Sequence, residues 1–201
     1  MQRLTTLALS AAVAGTFGLI GAAGGSVMSA NADTSSHPTI RGTDARSYAK
    51  VDSVTLPLRT SSPELDDCFP HARAKVKVDL TTDDIGKDTF RINARGLRPR
   101  TDFTVFLIQK AGAPFGHVEY IGDFSTNRWG RGHNTFTLIA EEAFAFNNAT
   151  GNRADLNKVG FWFADPRADN GCLGAGSPVT GFDGDASAGV QMMNSGTHKL
   201  P

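Results

Sequence analysis

The sequence predicts an all-β fold, a sandwich or a barrel of antiparallel strands. Three observations carry this. Short runs of alternating apolar and polar residues recur along residues 68–201, turn signals rich in glycine, proline and aspartate separate them, and no long stretch shows a helical period. Strands of that kind at roughly regular spacing need a second layer to cover their apolar faces.

The first run is RAKVKVDL, where Ala74, Val76, Val78 and Leu80 share one face and Lys75, Lys77 and Asp79 the other. Phe90, Ile92 and Ala94 repeat the pattern against Arg91, Asn93 and Arg95, and a turn with Pro99 follows. In DFTVFLI both faces are apolar, which predicts a central strand. A second hairpin is expected from Val118, Tyr120 and Phe124, the turn NRWGRG, and a return strand with Phe136 and Leu138. Residues 140–148 fit neither period. Strand character resumes over Leu156 to Ala164, where Trp162 opposes Val159, Phe161 and Phe163, and a last short strand is expected at Gly189 to Met193.

Ahead of these strands lie two other segments. Arg3 precedes an uncharged, largely apolar stretch ending in the small residues Ala30, Asn31 and Ala32, which reads as a secretory signal peptide over residues 1–32, with an uncleaved membrane anchor as the rival. Residues 33–66 are rich in Ser, Thr and Pro, with alternation only at Val54, Leu56 and Leu58 around Pro57; they predict an extended arm or edge strand before a domain over 67–201.

Charge and cysteines narrow the class further. Lys and Arg total 20 against 20 Asp and Glu, and the sequence pI is about 7.0, so no basic footprint for nucleic acid and no polybasic membrane patch is expected. The two cysteines, Cys68 and Cys172, follow the export signal, and an oxidising compartment makes their pairing the default. No cation adjoins Cys68 to make it a reactive thiolate.

The stretch RINARGLRPRTDFTVFLI resembles the strand, turn and strand of fibronectin type III and other immunoglobulin-like modules, with Phe103 where those modules carry the tyrosine of the tyrosine corner. This resemblance implies an immunoglobulin-like antiparallel β-sandwich, here with one disulfide, although residues 109–201 follow where that family has one further strand. The stretches IGDFSTNRWGRG, GFWFADPRADNGC and PVTGFDGDASAGVQ together resemble secreted proteins of high-GC Gram-positive bacteria, which also carry a signal peptide and a cysteine pair. That second resemblance implies export and names no activity.

Candidate chemistry is sparse. Asp183 and Asp185, with Asp165 and Asp169 upstream, can gather oxygen ligands for calcium. Counted as an EF-hand loop from Asp183, however, position six is Ala188 and position twelve is Asn194, so aspartates that cap turns are the stronger reading. His71, His117 and His133 could converge on zinc or copper only if separate strands bring them together. GAGSP around Ser177 lacks the final glycine of a nucleophile elbow. The adjacent acids Asp83 with Asp84, and Glu141 with Glu142, read as solvated on opposite strand faces. Trp129 is the most suggestive residue. An indole at a hairpin tip between Arg128 and Arg131 either folds down to seal the end of the core or stacks on a sugar ring or peptide, with the arginines as hydrogen-bond donors.

These readings lead to an expected secreted, non-catalytic module without a cofactor, recognising an extracellular or cell-wall polysaccharide or protein, with no nucleic-acid partner and no membrane association after signal cleavage. A calcium- or metal-dependent extracellular enzyme and a structural envelope component are the alternatives.

Overall fold

The computed structural model describes residues 52–178 and 186–201. The expected signal peptide over 1–32, residues 33–51 of the arm, Asp183 and Asp185 lie outside the described residues. In chain order the elements are β1 (Ser53–Thr60), α1 (Pro63–Cys68), β2 (Arg73–Asp79), α2 (Thr82–Ile85), β3 (Asp88–Arg95), β4 (Asp102–Ile108) and β5 (Val118–Ser125). They continue with β6 (Gly132–Leu138), β7 (Phe144–Asn147), β8 (Asn152–Asp155), β9 (Lys158–Phe163), α3 (Asn170–Leu173) and β10 (Gln191–Asn194).

Eight strands form one antiparallel sheet in the order β5-β4-β9-β10-β1-β2-β3-β6, and β7 pairs with β8 as a separate ribbon. The two ends of that order meet at a single bridge, Thr126 to Gly132, so the sheet is nearly closed. The all-β antiparallel expectation and the single disulfide therefore hold. The closing circuit points to a barrel rather than to a clear immunoglobulin-like sandwich, because β1 serves both halves: Ser53 to Leu58 pair with β2, while Arg59 and Thr60 pair with β10.

Two segments depart from expectation for physical reasons. The run expected as an arm or edge strand is β1, with neighbours on both sides of the sheet; Pro57, which has no N–H to give a ladder, stands where β10 has not yet joined. The expected hairpin of β5 and β6 forms no ladder. After the bridge at Thr126 the strands diverge, β5 to β4 and β6 to β3, where Phe136 opposes Phe90. The Phe136 ring fills the space beside Gly122, whose φ of 141° and missing side chain admit it; a Cβ there would stand 2.4 Å from the ring.

The inward faces of β1, β2, β3, β4 and β9 build one core around Leu58, Val76, Ile92, Val105 and Phe161, each fully buried. A side chain of this kind contributes about 1.5–3 kcal/mol by leaving water. Phe103 is its aromatic hub, with ring centroids 5.2 Å from Phe124, 5.4 Å from Phe161 and 5.2 Å from Phe163. On the opposite face of β4 and β9, Phe106, Ile108 and Trp162 form a second cluster with Ala188, covered by Phe115 of the 109–117 loop. That cover explains why DFTVFLI is apolar on both sides.

Cys68 and Cys172 are bonded and tie α1 to α3 across a sequence separation of 104. Helix α1 starts where its sequence dictates: Ser62 accepts the Leu65 N–H at 3.4 Å, Pro63 occupies the first turn, and Leu65 is buried. The ambiguous stretch 140–148 supplies β7, whose Phe144 and Phe146 remain exposed. Asp83 and Asp84 sit exposed on the single turn of α2 rather than on a strand. Among the described residues no helix is long and apolar enough to cross a membrane.

Candidate functional site: an aromatic and basic loop tip

The loop between β5 and β6 is a clamped turn. Asn127 organises it: its side-chain oxygen accepts the N–H groups of Trp129 at 2.9 Å and Arg131 at 3.1 Å, and its own N–H donates to the Arg131 carbonyl at 2.8 Å. The tip is also fastened to the turn after β3. Leu97 N–H donates to the Gly130 carbonyl at 3.1 Å, and Arg100 N–H to the Asn127 carbonyl at 3.2 Å. Gly130 has a φ of 67°, and a Cβ on it would lie 2.1 Å from the Leu97 carbonyl oxygen. Only glycine allows that approach.

This frame holds Trp129 outward, with 64 % of its surface exposed. The indole therefore does not fold down over the core, whereas Leu97 of the neighbouring turn is buried in it. Arg128 lies over the indole, its guanidinium carbon 4.1 Å from the ring centroid. Arg131 and Trp129 line a shallow depression of about 420 Å³ together with His71, Arg73, Arg95 and Gly96. With Arg128 against one face of the indole, a sugar ring would stack on the other, its hydroxyl or acidic groups held by the neighbouring donors.

Among the described residues the other candidates are not gathered into a site. Asp165 is engaged by Arg167, whose hydrogen bonds hold its carboxyl below the usual range; the Nε distance is 3.2 Å. Asp169 is buried and accepts the Ser177 hydroxyl at 2.6 Å and the Val190 N–H at 3.3 Å. Asp165 and Asp169 thus each have partners close by, and Asp183 and Asp185 lie outside the described residues. Among the described residues no three His, Cys, Asp or Glu side chains could hold a metal ion; His71 lies by the tip, whereas His117 exchanges hydrogen bonds with Gln109.

Sequence reasoning missed His71, Arg73 and Arg95 as neighbours of the tip. The signal was present in RAKVK and RINAR, whose outward residues are basic, but only the strand register places Arg73 opposite Arg95. It also missed Asp88, a fully buried carboxylate at the start of β3. Oδ1 accepts the N–H groups of Thr81 and Thr82 at 2.8 and 3.0 Å, and Oδ2 those of Ala140 and Glu141 at 2.8 and 2.9 Å. Burial alone would raise its pKa, yet the Glu141, Thr81 and Ala140 N–H groups outweigh burial and hold it below the ordinary value. The role is structural, since the carboxylate has no open face.

Fold and tip together define an antiparallel, nearly closed β domain, stapled by one disulfide and presenting an aromatic and basic loop. No protein-family model matches the chain, and a search of curated proteins finds no match to it.

Proposed function

We propose that this chain is a secreted, non-catalytic module that recognises an extracellular or cell-wall macromolecule, a polysaccharide foremost, through Trp129, Arg128 and Arg131. The outward-held Trp129 carries this reading: an indole exposed to 64 % on a turn fixed at Asn127 and Leu97 is costly to leave in water without a partner. A rigid ring also loses little entropy on binding. Export is supported by the apolar segment after Arg3 and by the Cys68 to Cys172 bond, which an oxidising compartment favours.

An immunoglobulin-like relationship belongs to the same proposal. Its support is the turn GLRPRT, which carries the chain from β3 to β4, strands that do not pair with each other and lie in different halves of the circuit. The test of function is retention on a cell-wall polysaccharide preparation, comparing the wild type with Trp129→Ala. The variant should be lost from the bound fraction, and equal retention of the two proteins overturns the reading.

A further inference from the structure

The tip depression does not end at Arg131. A second one, of about 370 Å³, is lined by Asn93, Arg95, Asn127, Arg131 and His133, and a third, of about 350 Å³, by Arg73, Lys75, Asn93 and Arg95. Arg95 borders all three, and no carboxylate lines any of them. The register explains the clustering: Arg73 lies opposite Arg95, Lys75 opposite Asn93, and Asn93 opposite His133, so outward residues of β2, β3 and β6 form one surface. Among the described residues no acid stands within ion-pair distance of Arg73, Lys75, Arg95, Arg128 or Arg131.

This concentration occurs in a chain with zero formal net charge. The outward cations run the length of the β2–β3 ladder, Arg73, Lys75 and Lys77 on β2 with Arg91 and Arg95 on β3, while Asp79 is the one outward acid of these two strands and Asp88 is buried. At the Asp79 end Lys77 and Arg91 share one carboxylate. At the Arg95 end no acid among the described residues pairs with Arg73, Lys75 or Arg95, and Arg73 donates instead to the Pro70 and Ala72 carbonyls.

We infer that the Arg73, Lys75, Arg95 and Arg131 surface, continuous with Trp129, binds an acidic polysaccharide, its carboxylate, sulfate or phosphate groups on the arginines and a sugar ring on the indole. This rests on the recognition reading above and names its ligand class. Arginine forks donate paired hydrogen bonds to such anions, and release of counterions from the polymer makes binding fall steeply with salt. The aromatic step favours a glycan over a nucleic-acid duplex, whose stacked bases offer no free ring face to one protruding indole.

The test measures affinity of the wild type for polygalacturonate, dextran sulfate, neutral dextran and duplex DNA across a salt series. Both acidic glycans should bind at low salt and neutral dextran should not. Arg73→Gln with Arg95→Gln should weaken acidic-glycan binding about tenfold and flatten its salt dependence, and Trp129→Ala should weaken it at every salt concentration. Binding to neutral dextran as tight as to the acidic glycans overturns the acidic-ligand inference and leaves glycan recognition standing. DNA binding as tight as glycan binding and indifferent to Trp129→Ala overturns the glycan assignment. Retention on wall polysaccharide that the double arginine variant leaves unchanged refutes this inference alone, and failure of the wild type on every glycan and on wall polysaccharide removes both.

Discussion

Arg73 of β2 and Arg95 of β3 stand directly opposite each other across the antiparallel ladder, and among the described residues no carboxylate forms an ion pair with either. Like charges so placed destabilise a sheet by a few tenths to about 1 kcal/mol. Arg95→Gln should therefore raise the melting temperature at low ionic strength, and the gain should shrink as salt screens the pair. Thermal melts of both proteins in low and high salt check this. A variant less stable than the wild type at low salt would show that Arg95 is held by attraction and not by the needs of a ligand.

What the sequence could and could not reveal follows from the same ladder. Alternation in Ala74, Val76 and Val78, or in Phe90, Ile92 and Ala94, reports which face is buried, because that depends on the strand's own period. It does not report which strand lies alongside, so the meeting of Arg73 with Arg95 was hidden, as was the divergence of β6 from β5 toward β3. The double-sided burial of Phe106 and Trp162 was legible as centrality, but not as a second cluster roofed by Phe115. Trp129 was legible as a hairpin-tip residue, while its direction depends on Asn127 and on a contact with Leu97 from a distant turn.

Asp88 should dominate the acid sensitivity of the domain. Its folded-state pKa is lowered, so its contribution is complete above the ordinary aspartate value of about 4 and is lost as pH falls below that range. Asp79 and Asp165 are lowered too, but their ion pairs lie in solvent and weigh little. Asp88→Ala leaves four backbone N–H groups without their acceptor and should cost about 3 kcal/mol or more, with Asp88→Asn retaining part of that. Urea midpoints measured from neutral pH to pH 3 should decline for the wild type and stay flatter for Asp88→Asn. Parallel curves would assign the acid sensitivity elsewhere.

The bond between Cys68 and Cys172 closes a separation of 104 residues, which in the chain-entropy model is worth about 4–5 kcal/mol. Replacing both cysteines by alanine should lower the denaturation midpoint accordingly. The loss should act mostly through the unfolded chain, because Leu65 is buried in the core and gives α1 packing of its own. Equal midpoints for the double variant and the oxidised wild type would show that the bond does not stabilise by constraining the unfolded chain.

Gly130 couples stability to the proposed binding surface, and a second glycine separates the two effects. Both Gly130 and Gly151 adopt left-handed conformations, with φ of 67° and 69°, so alanine is strained at either position. They differ in surroundings: a Cβ on Gly151, in the β7 to β8 turn, meets nothing within 4 Å, whereas one on Gly130 meets the Leu97 carbonyl at 2.1 Å. Gly151→Ala should cost about 1 kcal/mol and leave glycan binding intact. Gly130→Ala should cost about 1–3 kcal/mol, break the Leu97 to Gly130 hydrogen bond and swing Trp129 out of register with Arg131 and Arg95. Binding measured at a temperature where both variants are folded should fall only for Gly130→Ala. Undiminished binding by that variant would show that the turn's fixed shape is not what presents the indole.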